Sequence, residues 1–123
     1  MPTTIKIAIA DDHEGVRGGL RLMLEGFGFE VIIEADNGED LISKITHGSK
    51  FPDLCILDFN MPVMNGMETT IALKSEWRSI KIIGFSMNDD GGYIMLSKGA
   101  DRFLSKNCSR DEMYNTIVDL FKH

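Results

Sequence analysis

Short, unbroken apolar runs alternate with segments of helical periodicity along the whole 123-residue chain. Five runs predict strands: Ile5–Ala10, Val31–Ala35, Leu54–Asp58, Lys81–Ser86 and Arg102–Ser105. They lack the strict alternation of a half-exposed strand, so both faces should be covered, as in a parallel sheet. Between them Val16, Leu20, Met23 and Phe27 recur at helical spacing, and Leu41 with Ile45 makes a smaller stripe. Helix starts are signed by Asn65 with Glu68 three positions on, by Ser109 with Glu112, and by Asn37. A side-chain oxygen at such a position accepts from backbone N–H groups that the first turn leaves free. Gly28, Gly48 and Gly99 stand where helices should end. Five strand–helix units in this length predict one α/β domain over residues 1–123 with a doubly wound sheet.

The segment Asn88–Gly92 interrupts the pattern with two acids and two glycines. Each glycine costs a helix roughly 1 kcal/mol against alanine. The sequence therefore predicts a loosely held loop there, followed by a short helix over Tyr93–Lys98.

Charge and composition narrow the class. A net charge of −6 speaks against a nucleic-acid surface on this chain, because duplex binding relies on clustered Lys and Arg. Cys55 in an apolar run and Cys108 in a late loop build neither a zinc site nor a disulfide framework. Both read as reduced thiols of a cytoplasmic protein. No apolar stretch approaches the ~20 residues of a membrane helix. The first run carries Lys6 and ends at Asp11, unlike a signal peptide.

Candidate chemistry gathers at the ends of the runs. Asp11 and Asp12 follow the first, Asp58 ends the third, Ser86 the fourth, and Lys106 follows the fifth. In an open parallel sheet these ends share one edge, where ligands bind at the topological switch point. Three carboxylates brought together there repel one another and raise at least one pKa. A hard divalent cation such as Mg²⁺ relieves that repulsion and bridges to phosphate. Asp58 has the chemistry of a nucleophile forming an acyl phosphate. Ser86 can donate to a phosphoryl oxygen and Lys106 can neutralise another. The bland readings are ordinary: Asp12 as a helix cap, His13 as a loop residue, Phe103 as a core aromatic, and Met61, Met64 and Met67 as packing around a loop.

These residues resemble the receiver domain of two-component response regulators over nearly the whole chain. The matching pieces are Asp11-Asp12-His13, Asp58 followed by Met61-Pro62-Val63-Met64-Asn65-Gly66, Ser86, Gly99-Ala100-Asp101 and Lys106. The opening DDHEGVRGGLRLML is similar to receivers of LuxR/NarL-type regulators, which precede a helix-turn-helix output domain. The resemblance implies a flavodoxin-like (βα)5 fold with strand order 2-1-3-4-5. It implies phosphorylation of Asp58 by a sensor histidine kinase, with Mg²⁺ held by Asp11, Asp12, Asp58 and the backbone carbonyl of Asn60. It further implies that Phe103 is the aromatic that moves with Ser86 on activation. A phosphorylation-dependent homodimer fits the same family, as does DNA binding through an output domain rather than through this one.

Two departures stand out. Asn107 follows Lys106 where many receivers carry proline. Bulky Met87 follows Ser86 where a small residue is usual, and is expected to limit access to the phosphoryl site. Two other readings stay open at this point. One is a stand-alone receiver acting through a protein partner. The other is a Mg²⁺-dependent phosphatase of the haloacid-dehalogenase type, which wants an acid where Asn60 stands. As a receiver, the chain would be a phosphoacceptor that catalyses only its own phosphorylation and dephosphorylation.

Overall fold

A computed structural model describes residues 4–122. The strands are β1 (Lys6–Ala10), β2 (Glu30–Ala35), β3 (Leu54–Leu57), β4 (Lys81–Ser86) and β5 (Arg102–Ser105). The helices are α1 (Glu14–Gly26), α2 (Gly38–His47), α3 (Gly66–Glu76), α4 (Asp89–Ser97) and α5 (Arg110–Leu120). All strand pairs are parallel, in the order β2-β1-β3-β4-β5. This is the doubly wound, flavodoxin-like α/β arrangement anticipated from the sequence.

Period-two geometry divides β1, β3 and β4 between two cores. Ala8, Ala10, Cys55, Leu57 and Ile82 face a cluster completed by Leu41 and Ile45 of α2, Leu73 of α3 and Met95 of α4. Ile7, Ile9, Ile56, Ile83 and Phe85 face the opposite cluster, with Leu20 and Leu24 of α1 and Met113 and Ile117 of α5. Three helices therefore cover one face and two the other, which explains the near-continuous apolar strands. The order reverses at β1, leaving a crevice between the C-terminal ends of β1 and β3.

The caps at Asn37, Asn65 and Ser109 each accept from the N–H three residues on, and Asn65 with Glu68 closes a reciprocal capping box. Gly28 and Gly99 follow their helices with φ of 95° and 118°, whereas Gly48 ends α2 in an extended conformation. Two expectations need correction. The α1 cap is His13, whose Nδ1 accepts from Val16 N–H, so Asp12 is left for other work. Helix α4 begins at Asp89 rather than Tyr93, capped by Asn88, and takes in both glycines. Packing decides that case. A Cβ on Gly91 would come within 2.7 Å of Phe59 Cγ, and one on Gly92 would overlap the Phe103 ring. The residues that weaken an isolated helix let this one lie close against two aromatics.

Candidate functional site

The hydrogen-bonded ladder runs one residue beyond β1 and β3 and delivers acids to the crevice. Asp11 N–H donates to the Ala35 carbonyl at 3.0 Å, and Asp58 N–H donates to the Ala10 carbonyl at 2.9 Å. Carboxylate oxygens of Asp11, Asp12 and Asp58 lie within 4.8 Å of one another. Asp11 and Asp58 are 2% and 8% exposed, while Asp12 opens to solvent.

Lys106 closes the group from β5. Its backbone N–H donates to the Ser86 carbonyl at 3.0 Å, extending the β4–β5 ladder. Its Nζ reaches Asp11 Oδ2 at 2.8 Å and Asp58 Oδ1 at 3.3 Å. Asp11 Oδ1 accepts from His13 N–H at 2.9 Å. Burial pushes the Asp58 pKa up, the Asp11 charge adds to that, and Lys106 only partly opposes it. Burial alone would lower the Lys106 pKa, but the hydrogen bond to Asp11 and attraction to both acids raise it on balance. Three carboxylates against one ammonium leave the cluster short of positive charge. Its donors are all hard oxygens, which suits Mg²⁺ rather than a softer, imidazole-seeking metal. Asn60 lies beside this cluster, lining a cleft of about 400 Å³ with Asp12, Met61, Pro62 and Asn65.

The loop after β3 is held tightly. Met64 N–H donates to the Pro62 carbonyl at 2.7 Å, closing a three-residue turn in which Val63 has a φ of 68°. Gly66 N–H then donates to the Phe59 carbonyl at 2.8 Å. A Cβ on Gly66 would fall on the Asp58 carbonyl oxygen, so only glycine lets α3 start this close to the phosphoacceptor candidate.

Ser86 ends β4 at the same edge, 2% exposed, its Oγ accepting from Asn88 N–H at 3.1 Å. Met87 is 65% exposed and shares an apolar groove with Phe85, His13, Gly15 and Lys106. Phe103 is half-buried against Gly92, tilted 6.4 Å from the Tyr93 ring. The peptide bonds among the described residues are all trans, so the Lys106–Asn107 link is an ordinary turn. Burial and Glu112 raise the Cys108 pKa, and burial carries Cys55 to about 12, so neither thiol is activated.

Sequence reasoning passed over Arg17, which donates to the Asp11 carbonyl at 2.7 Å. The signal was present: two arginines one turn apart in α1, Arg17 and Arg21, the first of them four residues after the cap, and both pair with Glu34 of β2.

A doubly wound, flavodoxin-like sheet with an acidic crevice at its switch point defines the class. The model of the response regulator receiver domain matches residues 7–118, and the chain belongs to that family. Curated relatives include the transcriptional regulatory protein DegU of Brevibacillus brevis, 31% identical over 92% of this chain and 48% of its own length. Response regulator GacA of Pseudomonas aeruginosa is 31% identical over 95% of this chain and 55% of its own. The chain thus spans about half the length of the curated relatives it matches. Among solved structures, the signal receiver domain of the putative response regulator NarL from Mycobacterium tuberculosis is 29% identical. It superposes with a TM-score of 0.85 over 97% of both chains. Receivers as a family are phosphorylation switches that bind Mg²⁺ in an acidic pocket and work with histidine kinases or other phosphotransfer partners. No helix among the described residues is long and apolar enough to cross a membrane.

Proposed function

We propose that residues 1–123 form one cytoplasmic receiver domain in which Asp58 accepts a phosphoryl group from a sensor histidine kinase. The observation that carries this reading is the Lys106 ammonium shared between Asp11 and Asp58, with Asp12 completing the acid cluster. In the transfer an Asp58 carboxylate oxygen forms the new P–O bond as the P–N bond to the donor histidine breaks. The released imidazole takes up a proton. Asp11, Asp12, Asp58 and the Asn60 carbonyl would hold Mg²⁺, which when bound offsets the charge on the phosphoryl oxygens and the acids. Lys106 neutralises a further oxygen, and the Ser86 hydroxyl donates to another. Met87 stands at the rim and limits the approach of donor and water. Met87→Ala is therefore expected to speed phosphorylation and loss of the phosphoryl group alike, in single-turnover assays; equal rates in both proteins would remove Met87 from this role.

The output is a changed surface. Drawing Ser86 towards a phosphorylated Asp58 moves the start of α4, against which Phe59 and Phe103 pack, and gives the Phe103 ring a second position. A coupling of ~1–3 kcal/mol suffices for such a switch. The face made by α4, β5 and α5 then meets a partner, a second protomer among them. Because the curated relatives are about twice as long, and DegU among them is named a transcriptional regulatory protein, the end effect is proposed as transcriptional control through a DNA-binding output domain. Labelling with a small phosphodonor and Mg²⁺ tests the assignment: wild type is labelled and Asp58→Asn is not. Equal labelling of both would overturn it.

A further inference from the structure

Arg17 lies on the inner side of α1, its side chain only 14% exposed. Its Nη1 donates to the Asp11 carbonyl at 2.7 Å and to Asp36 Oδ1 at 3.1 Å, and its Nε donates to Glu34 Oε1 at 3.3 Å. One guanidinium therefore ties together the end of β1, the end of β2 and the turn leading to α2. Glu34 is braced from the other side by Arg21. The rigid fork of arginine suits this, since several acceptors fix it in one orientation.

The consequence for the acid cluster lies in the backbone. The carbonyl held by Arg17 belongs to the peptide unit joining Asp11 to Asp12. That unit is planar, so fixing its oxygen fixes the direction in which Asp12 leaves the strand. Asp11 is then held at every polar atom: N–H by Ala35, carbonyl by Arg17, Oδ1 by His13 and Oδ2 by Lys106. Asp12 is exposed and depends on that shared peptide for its place.

We propose that Arg17 is a positioning residue for the cation site, acting through the Asp11–Asp12 peptide; this rests on the reading that the acid cluster takes Mg²⁺. Two physical effects of Arg17 have opposite signs, which makes the idea testable. As a positive charge near the acids, Arg17 opposes a cation, so its loss should tighten Mg²⁺ binding. As the anchor of the peptide between two ligands, its loss should weaken binding, typically 10–100-fold for groups that orient metal ligands. The buried, multiply bonded geometry says that positioning wins.

The experiment is a Mg²⁺ titration of the full chain by calorimetry and amide NMR, on wild type, Arg17→Ala, Arg17→Lys and Glu34→Gln, with thermal melts alongside. Arg17→Ala is expected to weaken Mg²⁺ about tenfold, with the Asp12 amide displaced before metal is added. Arg17→Lys retains the charge without the fork and should fall between that and wild type, while Glu34→Gln should shift affinity less than either. Should Arg17→Ala fail to fold, Arg17→Lys decides: weakening of threefold or more supports positioning, and unchanged affinity overturns it. A lowered melting temperature with Mg²⁺ affinity equal to or above wild type also overturns it, leaving Arg17 a purely structural brace. Absence of Mg²⁺ binding in wild type would instead overturn the metal reading on which the proposal stands.

Discussion

Asp58 carries the strongest tension between stability and function at the scale of single residues. Burial and the Asp11 charge raise its pKa above the ordinary carboxylate value. A raised folded-state pKa means that the folded protein binds this proton more tightly than the unfolded chain. The resulting stabilisation is complete below the unfolded pKa and is lost as pH rises through the folded one. At neutral pH without Mg²⁺ the charged Asp58 is thus a burden, and Asp58→Asn is expected to raise stability by about 0.5–2 kcal/mol. Urea denaturation checks this: the gain should shrink as pH falls, and a loss at pH 7 would contradict the account. Val63 is a second strained point, a β-branched residue at φ 68° beside the same loop. Val63→Asn should add ~1 kcal/mol, since asparagine tolerates that region and Val63 is 73% exposed with little packing to lose. An unchanged or lower midpoint would mean that the turn carries no strain.

Among the elements, α4 tests the idea that packing overrode propensity. Alanine at Gly92 should favour the helix by roughly 1 kcal/mol, yet it must also displace the Phe103 ring. Overpacking typically costs 1–3 kcal/mol, so Gly92→Ala is expected to lower stability and to abolish NOE contacts between Phe103 and α4. A rise in stability with those contacts intact would show the glycine to be incidental. The same comparison explains what was legible in the sequence. Strand runs, the Asn37, Asn65 and Ser109 caps and the edge carrying Asp11, Asp58, Ser86 and Lys106 all follow from local pattern, because each signal lies within a few residues. The start of α4 was hidden because its cause, the close approach of Phe59 and Phe103, is not local. The His13 cap was hidden because imidazole seldom takes that role. Arg17 was missed for a related reason: its partners Glu34 and Asp36 stand 17 and 19 positions away, and the packing of α1 against β2 brings them together.

Across the whole molecule, the sheet gathers groups from β1, β3, β4 and β5 that are separated by as many as 95 positions in sequence, as in the Lys106–Asp11 pair. A ligand binding only this assembled edge stabilises the entire fold. At tenfold excess over its dissociation constant, Mg²⁺ should therefore add ~1.4 kcal/mol. Protons compete for the same carboxylates, so the gain should fall with pH and vanish in Asp11→Ala. An equal rise in melting temperature for Asp11→Ala would place the cation elsewhere. Covalent trapping tests whether Asp58 takes the phosphoryl group. Borohydride reduces an acyl phosphate to homoserine, which peptide mass spectrometry assigns to one position. After treatment with a phosphodonor and Mg²⁺, homoserine is expected at position 58 of the wild-type chain and at no other aspartate; homoserine at Asp11 or Asp12, or none anywhere despite incorporated phosphate, would contradict Asp58 as the phosphoacceptor.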